Sequence, residues 1–210
     1  MPSISDDRRL LQELYLPPTD DFVLLDVPEM RFLMVDGSGN HDSEAFALGT
    51  RWLISAIGPI KPKAKERMGN RYVEPPLEVL WWADDMSDFI AGERDKFRWR
   101  QMIVMADWVD DEMSDHGIAS ASRRLGESPS SLGLDAFAEG TCVQIMHVGS
   151  EDNAVSTMDR LYNEFIPEHQ LVATGSFHEI YLSDPKRVAP ERMRTVLRQP
   201  VAHPEDVGTP

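Results

Sequence analysis

The residues of this chain best placed to do chemistry are two glutamates on strand-like runs. Glu179 lies in Phe177-His178-Glu179-Ile180-Tyr181-Leu182, and Glu78 lies in Leu77-Glu78-Val79-Leu80-Trp81-Trp82. Side chains alternate along a strand, so Glu179 and Tyr181 share one face while His178 and Ile180 share the other. A carboxylate on an apolar-flanked strand is costly to bury unless it meets a partner or water. Where it does, it can serve as a general base, and Tyr181 would add a phenol hydrogen bond or a ring face. The competing reading leaves Glu179 in solvent or against a surface arginine. Glu78 carries the same alternatives. It shares a face with Leu80 and Trp82, whereas Trp81 goes with Leu77 and Val79.

Five tryptophans are many for 210 residues. Trp52, Trp81, Trp82, Trp99 and Trp108 are either ordinary core or, in part, the wall of a pocket for a flat or cationic ligand, through stacking and cation–π contact. Met34, Met102, Met105 and Met146 offer adaptable apolar surface with the same two readings. Other chemistries lack their signatures. The six histidines show no metal-ligand spacing, so no metal or cofactor is expected. Gly37-Ser38-Gly39 is neither a dinucleotide fingerprint nor a P-loop, and no GxSxG elbow occurs. Cys142 and His147 are five apart on one strand and point to opposite faces, which argues against a thiol nucleophile pair.

The elements that must position these residues recur. Met34-Val35-Asp36-Gly37-Ser38 is echoed by Met146-His147-Val148-Gly149-Ser150 at an offset of 112, and each is followed by a helical pattern. Phe46, Thr50 and Leu53 fall opposite Met158, Tyr162 and Phe165. Leu77-Glu78-Val79-Leu80 falls opposite His178-Glu179-Ile180-Tyr181 at an offset of 101. Low identity leaves chance recurrence of strand and helix patterns as the competing explanation. True duplication implies a pseudo-two-fold arrangement in which both carboxylates face one groove, a common place for a small-molecule site.

Residues 1–20 read as an arm. Strands are expected at Phe22-Val23-Leu24-Leu25 and Arg31-Phe32-Leu33-Met34-Val35, split by Pro28. A helix follows, capped by Asp42 or Ser43 and stopped by Gly58-Pro59. Residues 61–71, rich in Lys and Arg, read as a solvated loop. Strands follow at 72–82, with Pro75-Pro76 marking an edge or bulge, and at 98–105. A helix begins near Asp110, with Asp111 and Glu112 in its first turn, and runs to about 124. The Ser/Pro/Gly stretch 127–133 divides the first copy (about 21–125) from the second (about 134–201). The second copy gives a strand at 140–148, a helix over 154–165, and strands at 177–182 and 194–201. Residues 202–210 are expected to form a mobile tail. Strand-helix-strand-strand, twice, implies an α+β fold with helices on one side of antiparallel sheet.

Thirty-six acidic against 21 basic residues give a net charge of −15. That argues against duplex DNA or an anionic membrane as partner and permits a cationic ligand. Cys142, the single cysteine, cannot form an internal disulfide and reads as core. No run approaches the roughly 18 apolar residues of a membrane helix, and the first residues lack a secretory pattern, so a cytoplasmic location is expected.

His178-Glu179-Ile180-Tyr181-Leu182-Ser183-Asp184-Pro185, followed by Ala189-Pro190-Glu191 and Thr195-Val196-Leu197-Arg198, resembles the C-terminal signature of GyrI-like small-molecule-binding proteins. Pro76-Leu77-Glu78-Val79-Leu80-Trp81 and the run Cys142 to Ser150 are similar to that family's stand-alone bacterial branch. The resemblance spans roughly residues 20–201. It implies duplicated β-α-β-β units around a central groove, with relatives among the ligand-sensing domains of multidrug-responsive regulators. It places a glutamate matching Glu179 in an aromatic pocket that meets cationic or flat ligands. Some stand-alone members hydrolyse the cyclopropane of DNA-alkylating antibiotics, which needs a carboxylate-positioned water. On that reading Glu179 is the base, Glu78 a second carboxylate and Tyr181 a hydrogen-bond donor. The ligand contacts would be Tyr72, Trp81, Trp82, Met146, His147 and Trp108. No helix-turn-helix fits in the first twenty residues, so direct contact with nucleic acid is not expected. A drug-sequestering protein and a protein-interaction module, such as a gyrase-modulating protein, are the alternatives. The chain would act as a monomer or homodimer.

Overall fold

The computed structural model describes residues 8–69, 72–84 and 93–207. Among them the chain falls into two compact units, the first spanning 30–137 and the second 8–29 with 138–207. Both are α+β with wholly antiparallel sheets, as expected.

The first unit contains β2 (Met30–Ser38), α2 (Glu44–Ala56), α3 (Ile60–Met68), β3 (Leu77–Trp82), β4 (Arg98–Met105), α4 (Asp111–Leu125) and β5 (Gly133–Phe137). Its sheet order is β5-β2-β4-β3. The Ser43 hydroxyl caps α2 by accepting the Phe46 N–H at 3.1 Å. The Asp110 carboxylate caps α4 through Met113 N–H at 2.9 Å. Asp111 and Glu112 at the start of α4, with Arg123 and Arg124 at its end, complement the helix dipole. The segment 61–71, expected as a loop, is mostly α3. Its pattern was obscured because only Ile60 and Ala64 are buried on it, and its remaining surface is solvated charge. The strand expected from Tyr72 starts instead at Leu77, because Pro75 and Pro76 have no N–H for a ladder.

An aromatic core fills the face of this sheet under α2. Phe46 stacks on Trp81 at 5.5 Å and meets Trp99 edge-on at 5.4 Å. Trp99 is 2% exposed. Its ring needs Gly37 beneath it, since a Cβ there would fall 2.2 Å from the ring carbons. Gln101, buried on the same face, ties the sheet to the helix: its Nε2 donates to the Phe46 carbonyl, and its Oε1 accepts the Thr50 hydroxyl.

The second unit contains α1 (Arg8–Tyr15), β1 (Val23–Val27), β6 (Gly140–Val148), α5 (Glu151–Arg160), β7 (Val172–Ala173), β8 (Phe177–Tyr181) and β9 (Arg194–Ala202). Its sheet order is β1-β6-β9-β8, with β7 also paired to β9. The helix expected at 154–165 begins three residues earlier. It continues through a π turn at Leu161–Phe165 into a short helical end at Ile166–Glu168. The wide turn falls just before Pro167, whose nitrogen cannot donate to the preceding turn. The arm contains α1, which packs Tyr15 on Met146, Ile180 and Val196 and buries Leu14 completely. The expected tail begins after β9, and residues 208–210 lie outside the described residues.

Both units repeat one plan, with two details corrected. The strands that lead into β2 and β6 are exchanged: β1 pairs with β6, and β5 pairs with β2. Val27 faces Gly140 as Phe137 faces Met30, so the copies match at an offset of 110 rather than 112. Gly39 and Gly149 mark the same point, each giving its N–H to the carbonyl just before the neighbouring strand of its sheet, at Phe97 before β4 and Met193 before β9 respectively.

Candidate functional site

From those two glycines the registers can be counted. In the first unit Gly37 faces Trp99 and Trp99 faces Trp81. In the second, His147 faces Thr195 and Thr195 faces Tyr181. Tyr181 therefore matches Trp81, Val79 matches Glu179, and Glu78 matches His178. The offset in this strand is 100, not 101. A one-residue slip on a strand moves every side chain to the other face. Glu78 accordingly lies on the face of its sheet away from α2, beside Met102 by register, and is fully buried. Glu179 lies on the face of its own sheet that carries α5.

Side-chain contacts identify this face. His147 and Gln199, both on that face, reach α5 and the π turn that continues it: His147 Nδ1 lies 3.4 Å from the Thr157 hydroxyl, and Gln199 Oε1 accepts the Tyr162 hydroxyl at 2.6 Å. His147 Nε2 lies 3.0 Å from the Ser150 carbonyl. A carbonyl only accepts, so Nε2 carries the proton and Nδ1 accepts from Thr157. His147 thus staples the start of α5 to the sheet.

On this face the Tyr181 hydroxyl donates to Glu179 Oε2 at 2.5 Å. Both residues are half-buried on a strand whose other members, Phe177, His178 and Ile180, are buried. The phenol fixes the carboxylate's position through a short, charge-assisted bond. Leu197 faces Glu179 across the ladder and Ile145 lies beyond it, giving an apolar floor. The result is a carboxylate and a phenol presented together over aliphatic surface.

The other expected site residues are dispersed. Met146 is core on the opposite face, with Ile180, Val196 and Tyr15. Trp81 is 7% exposed in the aromatic core. Trp82 is half-buried on the face away from α2. Tyr72 is half-buried beneath the Lys65 ammonium, 5.6 Å from its ring centre. Burial, aided by Glu74, raises its phenol's pKa. Trp108 lies before α4 with the Arg67 guanidinium 5.2 Å over its ring, and it lines a cleft of about 310 Å³ with Lys63, Glu66, Arg67 and Met113.

A buried charge network on the α1 face was not anticipated. Glu139 bridges His178 Nδ1 at 3.0 Å and Arg198 at 2.8 Å. Arg198 also donates to Gln144 at 3.0 Å and to the Leu14 carbonyl at 2.7 Å, while Gln144 donates to the Glu13 carbonyl at 2.6 Å. A cation thus holds the C-terminal carbonyls of α1. Burial alone would raise the Glu139 pKa, but His178 and Arg198 outweigh it and hold it at about 2. The signal in the sequence was Arg198 inside the apolar strand β9. Burial pushes the Cys142 thiol well above its usual range and leaves it unreactive. Among the described residues no cluster of His, Cys, Asp or Glu could hold a metal ion, and no helix is long and apolar enough to cross a membrane.

The chain is similar to known structures. An uncharacterized conserved protein from Listeria innocua is 34% identical, matching 93% of this chain and 98% of its own, with a TM-score of 0.78. A hydrolase from Listeria innocua is 33% identical over 91% of this chain and 97% of its own, with a TM-score of 0.74. The EcmrR C-terminal domain, at 12% identity, shares the fold, with a TM-score of 0.54 over 87% of this chain and 98% of its own. No curated protein matches. The GyrI-like small molecule binding domain model matches residues 20–202, and the chain belongs to that family.

Proposed function

We propose that this protein binds flat aromatic or cationic small molecules against the Glu179–Tyr181 pair and opens strained, cyclopropane-type rings by hydrolysis. The observation that carries the reading is the 2.5 Å bond from the Tyr181 hydroxyl to Glu179, half-buried over apolar floor. An anionic group there attracts a cation or a polarised ligand, and a charge-assisted contact is worth about 1.5–3 kcal/mol. The kinship with a Listeria innocua hydrolase at 33% identity supports turnover. In the reaction a water oxygen attacks the strained carbon and Glu179 takes the water proton. The ring C–C bond breaks, its electrons pass into the ligand's conjugated carbonyl, and that group takes up a proton. Overall the hydroxyl of water ends on the attacked carbon and a proton on the former carbonyl oxygen, while Glu179 returns the proton it took to solvent.

The test is product formation from a cyclopropanoid substrate, followed by mass spectrometry. Glu179→Gln should lose about 10²–10⁴-fold in rate, because the amide keeps the packing but cannot take a proton. Tyr181→Phe should lose less, since the ring remains. Wild-type turnover equal to buffer would reject hydrolysis. Full activity in Glu179→Gln would reject Glu179 as the base.

A further inference from the structure

We propose that Thr195 is the specificity-determining hydrogen-bond donor of this site, its hydroxyl engaging a carbonyl-type oxygen on an aromatic ligand. The inference rests on the reading of Glu179 and Tyr181 as the ligand site.

Thr195 lies on β9 between Tyr181 on β8 and His147 on β6, as the Cα partner of both. Partners across an antiparallel ladder place their Cβ atoms about 4.5–5.5 Å apart on one face, and diagonal neighbours remain within reach of long side chains. Thr195 is therefore beside the Tyr181 ring and diagonal to Glu179. It is half-buried. No group among the described residues engages its hydroxyl, whereas His147 and Tyr181 have their polar atoms committed to Ser150, Thr157 and Glu179. The β-branched side chain is stiff at χ1, so the hydroxyl is held with little freedom to lose.

Comparison of the units gives an independent reason. The position matching Thr195 is Trp99, that of Tyr181 is Trp81, and that of Glu179 is Val79. In the first unit this face is plugged by indole rings under Phe46. In the second, the same three places hold a hydroxyl, a phenol and a carboxylate, and all three are half-buried. The bulk moves to His147, which stands where Gly37 does in the first unit. The smaller ring and the small residue on β9 leave a polar surface where the first unit has closed core. Glu179 supplies the negative charge there, Tyr181 fixes it, and Thr195 is left to donate to a ligand oxygen.

The experiment uses the full chain and two probes. Tetraphenylphosphonium is a cation without an acceptor, and 9(10H)-acridone is a flat neutral molecule with a carbonyl. Thr195→Val should weaken acridone binding about three- to tenfold, the range of a neutral hydrogen bond, and leave tetraphenylphosphonium within about twofold. Thr195→Ser should keep both affinities. Glu179→Gln should show the opposite preference, weakening the cation more. Equal losses for both probes in Thr195→Val, or no loss for acridone, would overturn the proposal. A selective acridone loss in Thr195→Val with no effect of Glu179→Gln on the cation would keep Thr195 and reject Glu179's part. Wild-type protein that binds neither probe would reject both.

Discussion

Val79 and Glu179 occupy the same place in the two units: the strand position two residues before Trp81 and Tyr181, on the face that carries α2 in one unit and α5 in the other. One is aliphatic and fully buried, the other a half-buried carboxylate. The two copies have thus diverged, one into core and the other into a polar face. Glu78 lies on the face of its own sheet away from α2 and is fully buried. Glu78→Gln should lower stability by about 1–3 kcal/mol, the cost of altering a buried polar contact. It should leave the affinity for tetraphenylphosphonium within about twofold. Chemical denaturation and fluorescence titration of the same samples check this, and a loss of cation affinity without a loss of stability would contradict it.

The aromatic plug of the first unit depends on two glycines. A Cβ on Gly37 would fall 2.2 Å from Trp99 ring carbons, and one on Gly49 would fall 2.9 Å from Gln101 Oε1 and from the ring edge. Overpacking costs about 1–3 kcal/mol and occasionally more. Gly37→Ala should therefore destabilise more than Gly49→Ala in thermal melts. The reverse order would show that the ring is not held as described.

Acid should loosen the second unit through Glu139. Its pKa is about 2 in the folded protein against an ordinary 4.5, so the ionised form favours folding. That contribution is complete above about pH 4.5 and is lost as pH falls toward 2. Glu139→Gln should cost about 3–5 kcal/mol near neutral pH by leaving Arg198 buried without its carboxylate. It should also flatten the decline of stability across that acid range. Urea midpoints measured through the range give the answer, and parallel curves for the two proteins would refute it.

Strand alternation made much of this fold legible: β6, β8 and β9 are plain in the sequence, as is the Asp110 cap of α4. What failed depended on contacts made at a distance. The match of Glu78 to Glu179 was one residue off because low identity cannot set a register, which the ladders of β4 and β9 set instead. Helix α3 was hidden by four cations in nine residues. The Glu139–His178–Arg198 network joins residues 39 and 59 positions apart: Arg198 inside β9 marks a buried charge, but no local pattern names its partners. Met146 and His147 are adjacent in sequence, yet alternation sends one to the α1 face and the other to α5.

We propose Glu179 as the anionic group of a ligand site. Fluorescence titration of wild type and Glu179→Gln with tetraphenylphosphonium tests it most directly, with the neutral triphenylphosphine oxide as control. The cation should bind about tenfold or more weakly to the variant, the neutral compound should change little, and the melting temperature should stay within a few degrees. Equal cation affinity in the two proteins would contradict it.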